Sequence, residues 1–177
     1  MRAPLAFVVA ALGALGITGC LRGEAAIDGV VVAGPSSATG DPFLKPVIQD
    51  PHGRVIRLSE YKGKVRVFDV WASWCGPCRM EIPQLNSIYE RYRDRGLVVV
   101  GVSVDDRPAD VLDFIREVPI HYPHGMMNPE VASLLRLGGG EMAIPITLVV
   151  DRTGKLRKRF VGLMRPDFLE REIAALL

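Results

Sequence analysis

The 177-residue sequence predicts an α/β protein, a β-sheet with helices on both faces, and three observations carry that expectation. A β-branched and aromatic run, Val65–Trp71, leads into Trp74-Cys75-Gly76-Pro77-Cys78 and then into apolar residues at helical spacing. Residues 97–104 form a continuous apolar stretch, the pattern of a strand buried on both faces. Residues 144–150 and 155–161 flank Asp151-Arg152-Thr153-Gly154 and read as a hairpin that completes the sheet after strands and helices have alternated.

Taken in order, the chain opens on a targeting segment, residues 1–19. Arg2 supplies a positive start, 5–17 is an uncharged apolar run, and Ile17-Thr18-Gly19 brings small residues up to Cys20. The arrangement resembles a bacterial lipobox, which implies acylation of the Cys20 sulfur, a new N-terminus at Cys20 and a lipid anchor in the cell envelope. An uncleaved signal anchor is the alternative, but the run is short against the ~20 apolar residues that a span needs. Residues 20–42 hold turn-formers such as Gly34-Pro35-Ser36-Ser37 without a sustained period, and read as a tether. A flexible chain of about 20 residues spans roughly 25 Å. The folded domain is then 43–177.

Within it, Val47-Ile48 and Val55-Ile56-Arg57-Leu58 around Asp50-Pro51-His52-Gly53 predict a hairpin. After the cysteines, Ile82, Leu85, Ile88, Tyr89 and Tyr92 share one helix face that ends near Gly96, with Pro83 expected to kink it. Asp106 and Pro108 open a helix over 111–118, and Asn128-Pro129 open another through Leu137, closed by Gly138-Gly139-Gly140. Residues 167–177 form a last amphipathic helix.

The chemistry centres on the two cysteines. A helix N-terminus directs unpaired N–H groups and partial positive charge at Cys75, which favours its thiolate and makes it the nucleophile, with Cys78 resolving the mixed disulfide. A zinc site needs two further ligands at workable spacing, and Cys20, His52, His121 and His124 do not supply a second pair. Asp69 stands in an apolar strand, so its carboxylate is expected to be partly buried with a raised pKa, placed to take the proton of Cys78.

Trp71-Ala72-Ser73-Trp74-Cys75-Gly76-Pro77-Cys78 resembles the active-site signature of thioredoxins. Leu58-Ser59-Glu60-Tyr61-Lys62-Gly63-Lys64 before it and Ile144-Pro145-Ile146-Thr147-Leu148-Val149-Val150-Asp151-Arg152-Thr153-Gly154 after it extend the resemblance to TlpA-like and ResA-like membrane-tethered thiol-disulfide oxidoreductases, over about residues 43–177. That resemblance implies a thioredoxin-like fold with a central mixed sheet and an N-terminal hairpin extending it. It implies a cis-proline at Pro145, and a substrate groove formed by Trp74, Gly76, Pro77, Ile144, Pro145 and Gly162. Asp69 matches the acid thought to serve thioredoxins as base, where many TlpA-like proteins carry another polar residue. Glu81 matches the glutamate of the ResA-like pattern Cys-x-x-Cys-x-x-Glu-x-Pro; an ordinary acid complementing the helix dipole is its other reading. The implied partners are disulfide-bearing proteins, such as apocytochrome c or proteins with copper-site cysteines, and an upstream membrane thiol reductase. No cofactor is implied, and Gly-Pro between the cysteines points to the reducing direction.

Other classes fare less well. A net charge of +2 with acids and bases interspersed gives no nucleic-acid signature. His121-Tyr122-Pro123-His124 with Met126 and Met127 is a soft-ligand cluster that would suit copper, though such a stretch is more often loop surface. A thiol peroxidase needs threonine three residues before its cysteine, where Ala72 stands. Arg152, Lys155, Arg157, Lys158 and Arg159 read as a solvated hairpin in preference to a lipid or partner patch.

Overall fold

A computed structural model describes residues 40–135 and 143–177; the targeting segment, nearly all of the tether and the triple glycine lie outside the described residues. Five strands form the central sheet in the order β5-β4-β3-β6-β7. β3 (Val65–Trp71) and β4 (Leu97–Ser103) are buried at every position, β4 as its apolar run requires and β3 with Arg66 and Asp69 enclosed among its apolar residues. β4 runs parallel to β3 and to β5 (His124–Met126), whereas β6 (Ile146–Val150) is antiparallel to both β3 and β7 (Leu156–Val161).

The path explains the mixture. The crossovers from β3 to β4 and from β4 to β5 step in one direction across the sheet, so right-handed connections place α1 (Gly76–Tyr92) and α2 (Pro108–Glu117) on one face. Trp71, Cys78, Ile82, Val111 and Phe114 pack together there, and α4 (Pro166–Ala174) adds Leu169 and Ile173 beside Val65, Val67 and Leu85. α3 (Pro129–Leu134) lies on the other face, with Val131 against Phe68, Val70 and Val100. Its N-cap is Asn128, whose side chain accepts the Val131 N–H at 2.9 Å.

Three local outcomes differ from the sequence reading. β5 replaces what read as loop, because a three-residue edge strand is too short to show alternation. The N-terminal hairpin, β1 (Val47–Gln49) and β2 (Val55–Arg57), forms a two-stranded sheet of its own. It is attached by side-chain packing, through buried Ile48 in the cluster of Phe68 and Val100, and by an Asn128 amide donated to the Val47 carbonyl at 2.8 Å. Asp41 and Pro42, read as the end of the tether, are tied into the fold: Asp41 caps a short 3-10 helix (Pro42–Leu44) and pairs with buried Arg66 at 2.6 Å. α1 continues through Pro83 to Tyr92, and a short 3-10 turn then closes in the left-handed conformation at Gly96.

Candidate active site

β3 carries the chain to the edge of the sheet where α1 starts, and Cys75 and Cys78 are joined there by a disulfide. Cys75 is the N-cap of α1, and its sulfur accepts the Cys78 N–H at 3.2 Å. Donors and helix dipole therefore converge on Cys75, which stabilises a thiolate at that sulfur once the disulfide is opened. Pro77 occupies the first turn, where no N–H is needed. Cys75 is 5% exposed and Cys78 1%, so only the former has access to a partner.

The loop between β3 and α1 is fixed by a residue that the sequence reading overlooked. Buried Asp105 accepts the Ser73 N–H at 2.9 Å, the Ser73 hydroxyl at 2.7 Å and the Ser103 hydroxyl at 2.6 Å. The available signal was its position: an acid just beyond a buried parallel strand, at the sheet edge where α/β proteins gather functional groups.

Beneath α1, Asp69 shares the sheet face of Val65, Val67 and Trp71, by the alternation of side chains along β3. It is 1% exposed, and burial pushes its carboxyl up to about 7, opposed by the Tyr122 hydroxyl that donates to Oδ2 at 2.9 Å. Glu81, on the buried side of α1, is 2% exposed. Burial, then the neighbouring Asp69, push it up to about 8, while the Thr147 hydroxyl donates to Oε1 at 3.2 Å and pulls it down. Thr147 sits directly opposite Asp69 in the β3–β6 register. α1, β3, β6 and the approach to β5 thus bring together two carboxyls and two hydroxyls. Glu81, whose other reading was an ordinary acid complementing the helix dipole, is buried beside Asp69.

The expected groove residues lie around the disulfide. The Ile144–Pro145 bond is cis, and half-buried Ile144 packs against the cluster of Cys75 and Cys78. The Pro145 carbonyl accepts the Gly162 N–H at 2.8 Å. Gly162 has φ +88°, a conformation that favours glycine, and an added Cβ would meet nothing within 4 Å. Gly76 opens α1, and Trp74 is 69% exposed beside Cys75.

The candidate metal ligands diverge. The His121 ring pairs with Glu90, His124 Nδ1 approaches the Tyr122 carbonyl at 3.0 Å, and Met126 and Met127 pack into clusters on opposite faces of the sheet. The basic hairpin is tied down in place of being simply solvated. Arg152 donates to the Gly63, Arg95 and Leu177 carbonyls, Arg159 to the Leu135 carbonyl, and Arg157 and Lys158 face Asp151 and Glu172.

Comparison with known proteins agrees with this geometry. The model of the AhpC/TSA family matches residues 39–159. A thiol-disulfide oxidoreductase ResA of Oceanobacillus iheyensis is 30% identical over 135 residues, 75% of this chain and 68% of the relative. The ResA of Geobacillus thermodenitrificans is 28% identical over 139 residues, 78% of each chain. Among solved structures, a putative thiol:disulfide interchange protein DsbE from Chlorobium tepidum superposes with a TM-score of 0.69 at 30% identity, covering 80% of this chain and 99% of that one.

Proposed function

This chain belongs to the AhpC/TSA family, as a ResA-like thiol-disulfide oxidoreductase of thioredoxin fold, and from that premise we propose that it reduces disulfides in partner proteins outside the cytoplasm. The supporting observation is the division of labour between its cysteines: Cys75 caps a helix start and is 5% exposed, and Cys78, at 1%, is buried on the face that carries Asp69. In the reduced enzyme the Cys75 thiolate attacks one sulfur of the substrate disulfide, forming a mixed disulfide and releasing the other sulfur as a thiolate. Cys78 gives its proton to Asp69 and attacks the Cys75 sulfur, so the Cys75–Cys78 disulfide forms and the second substrate thiolate leaves. Two electrons have passed to the substrate, and a dithiol of a membrane reductase returns them to the enzyme.

The substrate lies as an extended segment along Ile144–Pro145 and Gly162, with Trp74 covering it. Apocytochrome c and copper-site cysteines fit that description. Cys20, outside the described residues, anchors the chain by its lipid; among the described residues no helix is long and apolar enough to cross a membrane. The peroxidase alternative finds buried Ala72 where it needs a hydroxyl.

A Cys78→Ser variant tests the reading. It is expected to accumulate mixed disulfides through Cys75 with envelope proteins, and in reduced wild type Cys75 should alkylate well below the pH of a free thiol while Cys78 stays protected. Equal alkylation of both thiols, or no trapped partner, would remove the assigned roles. Incorporation of labelled fatty acid into wild type but not Cys20→Ala checks the anchor.

A further inference from the structure

Tyr122 belongs to the stretch that read as a soft-ligand cluster, and the structure gives that stretch another task. The connection from α2 into β5 turns inward at Tyr122, which is buried, while its neighbours hold the turn. Asn86 Oδ1 accepts the His121 N–H at 2.9 Å, and the Pro123 carbonyl accepts the Gly101 N–H at 2.9 Å. Space for the ring comes from Gly101 in β4, directly opposite Asp69 in the β3–β4 register. A Cβ at Gly101 would lie 3.1 Å from Tyr122 Cε2, from Trp71 Nε1 and from the His124 Cβ, tighter than ordinary contacts. A residue without a side chain, in a strand whose other members are Leu, Val and Ser, thus leaves the phenol free to reach Asp69.

We propose that Tyr122 is a positioning residue that decides which of the two buried carboxyls carries the negative charge: its hydroxyl keeps the charge on Asp69, leaving Glu81 as the protonated partner. The inequality is geometric. The Tyr122 hydroxyl donates to Asp69 at 2.9 Å, within the ordinary O–H···O range, whereas the Thr147 hydroxyl reaches Glu81 only at 3.2 Å, beyond it, and Glu81 Oε2 has no hydrogen-bond partner among the described residues. Two acids this close cannot both ionise cheaply, so a difference of one bond selects the site. Among the described residues no cation acts on either carboxyl. Glu81 reaches the pair from α1, Thr147 from β6, Trp71 from β3 and Tyr122 from the approach to β5. Tyr89 of α1 packs edge-on to Tyr122, His124 of β5 points its Nδ1 at the Tyr122 carbonyl, and α4 contributes Leu169 and Ile173. Burial raises both carboxyls and Asp69 raises Glu81 further, with the hydroxyls as the opposing causes.

The inference deepens the role of Asp69 as the acceptor of the Cys78 proton and rests on that reading for its kinetic consequence alone. The test is a ¹³C titration of the Asp69 and Glu81 side-chain carboxyl carbons in the full-length oxidised protein, for wild type, Tyr122→Phe and Thr147→Val. In wild type Asp69 should ionise at lower pH than Glu81. Tyr122→Phe should raise the Asp69 midpoint by about one pH unit, a tenfold change in its ionisation ratio, and narrow or reverse the order. Thr147→Val should raise Glu81 instead and widen the order. Glu81 ionising first in wild type, or an Asp69 midpoint unmoved in Tyr122→Phe, would overturn the proposal. Stopped-flow resolution of a trapped mixed disulfide then separates the two ideas. With Asp69 as the base, Tyr122→Phe shifts the pH profile of resolution upward by the same unit with an unchanged plateau. If Asp69→Asn resolves at the wild-type rate, the base assignment falls, and the carbon titrations still judge Tyr122.

Discussion

Arg66 and Asp69 stand three residues apart on β3, both buried and both of a type seldom found inside a protein, yet they face opposite sides of the sheet. On the face of α3, Arg66 is given a counterion: Asp41 at 2.6 Å, with the Asp151 carbonyl at 3.1 Å. On the face of α1, Asp69 is given, among the described residues, only hydroxyl hydrogen bonding and a second acid. The first arrangement fixes a charge and fastens the start of the domain to its centre. The second holds a proton loosely near neutral pH. A buried charge with an opposite partner is architecture; a buried carboxyl without one is set up for proton transfer.

The largest effect should come from breaking the architectural pair. Asp41→Asn leaves Arg66 buried without a counterion, and its cost in urea unfolding should be about 3–5 kcal/mol. A loss below about 1 kcal/mol would mean that solvent reaches Arg66 when the pair opens, and the two faces would no longer differ as described.

Asp69→Asn sharpens the other side. Resolution of a mixed disulfide should slow by about a hundredfold or more, the usual range for a lost general base, while the first attack by Cys75 is little changed. Stability should move the opposite way. An unfolded Asp ionises near 3.8 and the folded one at about 7, so the folded state holds the proton more tightly. That contribution is fully present below about pH 4 and is lost as pH rises to about 7, on the order of a few kcal/mol, with Glu81 extending the window to about 8. Asp69→Asn should flatten the decline and unfold at higher denaturant at pH 8. An unchanged slope would place Asp69 among the structural charges.

The smallest effect marks the edge of the site. Trp74→Ala should leave stability within about 0.5 kcal/mol, because the ring is exposed, while weakening the apparent affinity for a disulfide peptide several-fold in steady-state reduction. A loss of stability would show that Trp74 braces the loop that Asp105 holds.

Much of this was legible along the chain. The Cys-Gly-Pro-Cys run at a helix start, the largely apolar strands around it and the acid within β3 are local patterns, set by periodicity and by the cost of placing a charge among β-branched residues. Such signals survive without neighbours. The partners of those charges did not, since they come from distant segments: Asp41 from what read as a tether, Tyr122 from what read as loop surface, Thr147 from the strand after the cis-proline. Glu81 shows the limit well. Its position three residues after Cys78 left two readings open, and only the packing of α1 on β3 and β6 placed it inside, beside Asp69. The sequence by itself determined which groups are chemically unusual, because a residue's identity and the polarity of its own strand or helix are written locally. The tertiary structure alone decided which of them are neutralised and which are held ready to exchange a proton, because that depends on which hydrogen-bond donors and charges lie within a few ångströms across the sheet.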